Sequence, residues 1–113
     1  MLHHPSRFLA ATSVALACTL GASAPARAEY PDKPVKLVVN FTAGGPLDIM
    51  ARLIGEKLAL QFKQPFVVEN KTGSGGNIGA ASVATAAPDG YTLLVGLDST
   101  FTVNPGLYPN LGF

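Results

Sequence analysis

The sequence contains few of the residues on which catalytic and metal centres depend. Among its 113 residues there are one Cys, two His and no Trp, and charged residues make up 13%. The formal net charge of +1 supplies no basic field for nucleic acid, so we expect no nucleic-acid partner. The hydrophobic share of 48% is too high for an intrinsically disordered chain. The length allows one small domain and excludes a multidomain enzyme.

The N-terminal segment has the pattern of a secretory signal peptide. Arg7 precedes a short apolar stretch over residues 8–20, and residues 26–28 read Ala-Arg-Ala, an A-x-A cleavage signature. The apolar stretch is shorter than the ~20 residues that span a bilayer, which disfavours a transmembrane anchor. A lipoprotein anchored through Cys18 is the other alternative, but the residues before Cys18 form a poor lipobox. We therefore predict export with cleavage after Ala28.

Cleavage at that point would remove every Cys and His from the protein. Removal of 28 of the 113 residues leaves 85, over residues 29–113, and takes away His3, His4 and Cys18. A Ser-His-Asp triad or a Cys nucleophile is then excluded. Zinc, haem and iron–sulfur sites built on Cys or His are excluded as well. We expect no catalytic activity, no metal and no cofactor.

Strand and helix patterns alternate along residues 29–113. Such alternation predicts an α/β fold, a parallel sheet with flanking helices and right-handed crossovers. Residues 97–113 are predicted to be a loop, because Asn104-Pro105 and Tyr108-Pro109 interrupt regular structure. The predicted strands are 35–41, 65–68 and 91–96, and the predicted helices are 47–62 and 78–87.

The first predicted helix has an apolar stripe at helical spacing. Three- and four-residue steps predict that one side of the helix faces the core. That side consists of Leu47, Met50, Ile54, Leu58 and Phe62, widened by Leu53. The same periodicity places Asp48, Arg52 and Glu56 on the opposite side, at spacings that allow ion pairs.

Polar or glycine-rich segments follow all three predicted strands. Ligands of open α/β sheets bind at the carboxyl ends of the strands, and free N–H groups at helix N-termini favour anions. Two glycine loops, at residues 41–48 and 73–79, each open a helix, and Asn77 is a candidate N-cap. A carboxylate would fit as well as a phosphate. The alternative is that the glycines only form tight turns.

Asp48 would repel an anion placed close to it. We expect its carboxylate to accept hydrogen bonds from the N–H groups of its own loop, or from an amine of the ligand; the alternative is simple stabilisation of the helix dipole. Nucleotide motifs are absent, since Gly79 comes one place too late for G-x-G-x-x-G and no Gly-Lys-Ser/Thr follows either loop. These absences argue against an α/β enzyme that binds phosphate or nucleotide.

Several motifs in a fixed order resemble one known family. The segments at 30–35 (Tyr-Pro-Asp-Lys-Pro-Val), 67–71 (Val-Val-Glu-Asn-Lys) and 87–94 (Ala-Pro-Asp-Gly-Tyr-Thr-Leu-Leu) accompany both glycine loops and Asn104-Pro105-x-Leu-Tyr. This set closely resembles the Bug/TctC family, the extracytoplasmic solute receptors of tripartite tricarboxylate transporters. The resemblance extends over residues 30–113.

The resemblance implies a periplasmic-binding-protein fold of two α/β lobes around a cleft. A two-lobed receptor needs about 200 residues or more, so the chain would supply a truncated first lobe, with residues 1–28 as signal peptide and 29–113 as the N-terminal portion of a solute-binding domain. It further implies a periplasmic location, capture of a small carboxylate and delivery to the permease subunits of the transporter. The alternative is a small exported interaction or regulatory module without transport function.

The resemblance also implies which residues bind the ligand. Asn40, Thr42 and Ala43 stand where Pro is common in the family, which bears on ligand preference. The residues that the family pattern assigns to the substrate site are Thr42, Ala43, Gly44, Gly45, Asp48, Gly75, Gly76, Asn77, Ser99 and Thr100.

Overall fold

A computed structural model describes residues 28–113; the predicted signal segment at residues 1–27 lies outside the described residues. Strands and helices alternate up to residue 95, as predicted, and two one-turn helices follow. In chain order the elements are β1 (Val35–Val39), α1 (Pro46–Phe62), β2 (Phe66–Asn70), a 3-10 turn (Ser74–Gly76), α2 (Asn77–Ala84), β3 (Thr92–Val95), α3 (Ser99–Thr102) and α4 (Asn104–Leu107).

The three strands form one parallel sheet in the order β2-β1-β3. The register aligns Val39, the last residue of β1, with Asn70 of β2 and Val95 of β3. The predicted α/β fold with a parallel sheet is therefore confirmed. Because all three strands point the same way, the segments that follow them begin at one edge of the sheet.

Helices cover both faces of the central strand. The two crossovers run in opposite directions from β1 and β2, so right-handed connections place α1 and α2 on opposite faces. In agreement, α1 lies on β1 and β2, and α2 lies on β1 and β3. Val35, Leu37, Val38 and Val39 are buried for this reason, and they form the centre of the core.

The predicted inward face of α1 is wrong. The buried positions of the helix are Asp48, Ala51 and Gly55, whereas Met50, Leu53 and Ile54 are about half exposed. A Cβ on Gly55 would lie 3.2 Å from Leu37 Cδ1 and 3.4 Å from the Phe66 carbonyl oxygen. Small residues thus let the helix backbone approach the sheet closely, and the larger apolar side chains lie outside this contact.

Several predicted boundaries also differ. Strand β1 ends at Val39, two residues before the predicted end, and β2 continues to Asn70. Helix α2 ends at Ala84 rather than at residue 87. The segment predicted to be a loop contains α3 and α4, because Pro105 occupies the first turn of α4, where a missing N–H leaves no hydrogen bond unmade. In residues 28–113 no helix has the length and apolar character to cross a membrane.

Candidate functional site

The candidate site lies at the carboxyl edge of the sheet, where three connecting segments meet. Residues 40–45 follow β1, residues 71–76 follow β2, and residues 96–98 lead from β3 into α3. A cleft of about 120 Å³ lies between the first two segments. It is lined by Asn40, Phe41, Thr42, Thr72, Gly73, Gly75 and Gly76.

The first segment makes a tight turn before α1. Gly44 has φ +80°, and the Gly45 N–H donates to the Thr42 carbonyl at 3.2 Å. Gly45 is the N-cap of α1 and makes no side-chain capping bond, and Pro46 follows it. The first turn of the helix therefore retains N–H groups with a partial positive charge, next to the loop that supplies Thr42 to the cleft.

The second segment depends on residues with positive φ. Gly73, Ser74, Gly75 and Gly76 have φ values of 123°, 49°, 63° and 93°. A Cβ on Gly76 would lie 2.6 Å from Asn40 Nδ2 and 2.8 Å from Thr100 Oγ1. Glycine is required there by both conformation and space.

The predicted N-cap of α2 is wrong. The N-cap is Gly76, and Asn77 is the first residue of the helix itself. The Asn77 side chain turns instead towards α4, where its Oδ1 accepts a hydrogen bond from Asn104 Nδ2 at 2.7 Å. Asn77 lines a second cavity of about 330 Å³, which α2 forms with residues 108 and 110–112.

The buried side chains of Asn40, Thr100 and Asn104 form hydrogen bonds that hold the second loop in place. Asn40 Nδ2 donates to Thr100 Oγ1 at 3.0 Å and to the Gly76 carbonyl at 3.3 Å. The Thr100 hydroxyl donates to the Gly75 carbonyl at 3.3 Å, and Asn104 Nδ2 donates to the same oxygen at 2.9 Å. This network joins the end of β1, the loop, α3 and α4. These bonds fix the position of the glycine loop, which forms one wall of the cleft.

Asp48 holds the first loop. Its side chain is 5% exposed, and Oδ2 accepts from the Gly44 N–H at 2.9 Å and from Arg52 Nε at 3.0 Å. Oδ1 accepts from Asn70 Nδ2 at 2.9 Å. The expectation that Asp48 bonds its own loop is confirmed by the Gly44 contact, and the placement of Asp48 on the outer side of α1 is wrong.

Hydrogen bonds to the ionised form lower the pKa of Asp48 from 3.8 to about 2. The Arg52 side chain makes the largest contribution, followed by the Gly44 N–H and the Asn70 amide, and partial desolvation opposes them. The carboxylate consequently stays charged at ordinary pH, and it is fully engaged with protein donors.

The predicted site residues occupy different positions around this edge. Thr42, Gly75 and Gly76 line the cleft. In the first loop the Gly44 N–H donates to Asp48 and the Gly45 N–H donates to the Thr42 carbonyl, and Ala43 is exposed. Thr100 is fully buried beneath the second loop, and Ser99 is half buried at the start of α3.

Three residues that the sequence reasoning does not assign to the site support its loops: Arg52, Asn70 and Asn104. The sequence marks Asn40 only as a departure from the family pattern. The available signal was weak: Asn40 directly follows the apolar residues of β1, whereas Asn70 follows Glu69 at the end of β2. Among residues 28–113 the structure has no group of three Asp, Glu, His or Cys side chains that could hold a metal ion.

The sequence matches one family of receptors. Residues 50–113 match the model described as Tripartite tricarboxylate transporter family receptor. A UPF0065 protein of Bordetella pertussis is 40% identical over 98 residues, which are 87% of this chain and 30% of that protein. Protein BugT of the same organism is 39% identical over 110 residues, 96% of this chain and 33% of that protein. The chain therefore spans about a third of the length of these relatives.

Solved structures, one of them a periplasmic binding protein, resemble the described fold. The periplasmic binding protein BugD superposes with a TM-score of 0.67 at 45% identity, and Rpa4515 of R. palustris with adipate superposes with 0.71 at 40%. Each match covers 74% of this chain and 28% of the other. MatC of Rhodopseudomonas palustris with bound malate gives 0.55 at 48% identity, over 57% of this chain and 22% of that one.

The parallel sheet with its loops at one edge is that of a periplasmic binding protein. Within that class, the chain belongs to the tripartite tricarboxylate transporter receptor family, the Bug/TctC family.

Proposed function

We propose that this protein is, or is part of, an extracytoplasmic receptor that captures a small carboxylate and delivers it to the permease subunits of a tripartite tricarboxylate transporter. The observation that carries the proposal is the meeting of the two glycine-rich loops, which open α1 and α2, at one cleft of about 120 Å³. Free N–H groups in the first turn of a helix favour an anion. Two solved structures of similar proteins were obtained with the carboxylic acids adipate and malate, which supports a carboxylate as the ligand class.

The chemistry of the described edge favours binding without catalysis. The lining of the cleft consists of amide, hydroxyl and backbone groups with one aromatic ring. The carboxylate of Asp48 is occupied by three donors and is held ionised. Such groups orient and neutralise an anion through hydrogen bonds, and none of those lining the cleft is an acid, base or nucleophile poised near pH 7.

Binding is tested by calorimetric titration of the purified protein with adipate, malate, succinate and citrate, and with the dimethyl ester of adipate as the uncharged control. We expect heat and thermal stabilisation with at least one acid and none with the ester. Thr42→Val removes an exposed hydroxyl from the cleft and should weaken binding about three- to tenfold. Thr85→Val, on an exposed hydroxyl at the far end of α2, is the matched control. Failure of every acid to bind would favour the alternative of an interaction or regulatory module.

We also propose that residues 1–28 form a signal peptide that is removed on export. The basic start, the short apolar stretch and the A-x-A signature support this, and similar proteins of known structure are periplasmic. N-terminal sequencing of the protein from a periplasmic extract should begin at Glu29. Ala28→Arg should block processing, whereas Arg27→Gln should leave it unchanged; a mature protein that begins with residues before Glu29 would contradict the assigned site.

A further inference from the structure

One residue of β2 is joined by hydrogen bonds to both ends of the first loop. Asn70 Nδ2 donates to Asp48 Oδ1 at 2.9 Å and lies 3.4 Å from the Phe41 carbonyl oxygen. Its Oδ1 accepts from the Arg52 guanidinium at 3.3 Å. The side chain thus connects the residue that enters the loop with the helix that leaves it.

The orientation of the Asn70 amide follows from its neighbours. The NH₂ group faces two acceptors, the Asp48 carboxylate and the Phe41 carbonyl, and the oxygen faces a donor, Arg52. A flipped amide would place its oxygen against both acceptors and its NH₂ against the guanidinium. Only one of the two amide orientations of Asn70 therefore satisfies all three contacts.

Arg52 forms hydrogen bonds with both Asp48 and Asn70, which are also bonded to each other. Its Nε donates to Asp48 Oδ2 while its terminal nitrogen reaches Asn70, so one planar guanidinium spans the carboxylate and the amide. A lysine in this place would keep the charge but would lose the two-pronged geometry. Asp48 then holds the N–H of Gly44, the residue with φ +80° at which the loop reverses.

We propose that Arg52 and Asn70 are positioning residues, which hold the Thr42–Gly45 loop in its ligand-binding shape through Asp48. This inference rests on the proposed function and extends it to two residues that lie outside the cleft lining. The Gly44 N–H is bonded to Asp48 and the Gly45 N–H to Thr42. These contacts fix the turn that presents Thr42 to the cleft. Because the loop is already ordered, the ligand does not have to order it, which raises affinity.

The test compares Asn70→Ala and Arg52→Met with Lys57→Met, a change of charge at an exposed position of the same helix. Affinity for adipate and malate is measured by calorimetry, and exchange of the Gly44 amide proton with deuterium is measured by NMR. We expect both variants to exchange Gly44 about tenfold faster and to bind about five- to tenfold more weakly. Lys57→Met should match the wild type in both.

Arg52→Lys separates the geometry from the charge. Partial recovery of Gly44 protection together with partial recovery of affinity would support a positioning role. General destabilisation would instead raise exchange at amides throughout the chain. The melting temperature of every variant is recorded so that binding is compared well below unfolding.

The outcomes distinguish this inference from the proposed function. Wild-type binding that persists unchanged in Asn70→Ala and Arg52→Met would overturn the positioning role and leave the receptor function standing. Absence of wild-type binding to all acids of the panel would overturn the receptor function and the positioning role together.

Discussion

Gly79 of α2 lies directly against Asn40 at the end of β1. A Cβ on Gly79 would be 2.7 Å from the Asn40 Cβ and 2.7 Å from the Lys71 carbonyl oxygen. Helix and strand can approach this closely only because position 79 has no side chain. The Asn40 amide that supports the glycine loop is held in place by this contact and by its bonds to Gly76 and Thr100.

The first prediction concerns this contact. Gly79→Ala should lower the free energy of unfolding by about 1–3 kcal/mol, because α2 or Asn40 must move. Gly106→Ala is the control, since a Cβ there meets nothing within 4 Å and both glycines are helical. That change should be neutral or stabilising by up to about 1 kcal/mol. Urea unfolding followed by circular dichroism measures both, and equal stabilities would contradict the close packing.

A second prediction concerns Asn104. Asn104→Ala leaves the Asn77 Oδ1 without its donor and removes the shorter of two hydrogen bonds to the Gly75 carbonyl. We expect a loss of about 1–3 kcal/mol in unfolding free energy, since the Asn77 oxygen is buried and loses its donor. Asn110→Ala, at an exposed position, should change stability by less than about 0.5 kcal/mol. Similar losses in the two variants would show that the network beneath the loop contributes little.

The third prediction concerns pH. The pKa of Asp48 falls from 3.8 to about 2 on folding, so the folded protein binds the proton more weakly than the unfolded chain. The stability contributed by the carboxylate is then complete above about pH 4 and is lost as the pH falls from 3.8 towards 2. In urea unfolding, the stability gap between wild type and Asp48→Asn should narrow over this interval.

Glu56→Gln, an exposed change of one charge on the same helix, is the control for that titration. A gap between wild type and Asp48→Asn that stays constant from about pH 7 to about pH 2.5 would show that Asp48 titrates alike in the folded and unfolded chain.

A fourth prediction tests which face of α1 points inward. Ala51 is fully buried and Leu53 is 57% exposed. Ala51→Leu should lower unfolding free energy by about 1–3 kcal/mol through overpacking, and Leu53→Gln should change it by less than about 0.5 kcal/mol. Leu53→Gln should also reduce the fluorescence of the dye ANS, which binds exposed apolar surface. A larger loss of stability in Leu53→Gln than in Ala51→Leu would show that the face predicted from periodicity points inward.

The local sequence pattern was sufficient to predict the order of the strands and helices. Continuous β-branched residues at 35–39, a Pro at the start of α1 and glycine loops after two strands indicate the parallel α/β arrangement. The same parallel arrangement brings both glycine loops to one edge, as predicted. These features depend on backbone preferences and on residues close in sequence, which a single sequence records well.

The inward face of α1 could not be found in this way. Leu and Ile residues occur around much of the helix, so periodicity alone favours Met50 and Ile54. Ala51 and Gly55 face the sheet instead, because small residues permit close approach of the helix backbone to the strands. The N-cap prediction for Asn77 fails for a related reason: the N-cap preference is local, whereas the bond from Asn104 to Asn77 joins residues 27 positions apart.

The sequence by itself determined the family, the succession of strands and helices, and the two glycine loops, because motif, turn and strand preferences act over a few residues. Only the tertiary structure decided what holds those loops. Asp48 with Asn70 and Asn40 with Thr100 are separated by 22 and 60 positions. Such pairs meet only after the strands align, and burial of the groups in the folded protein strengthens their hydrogen bonds.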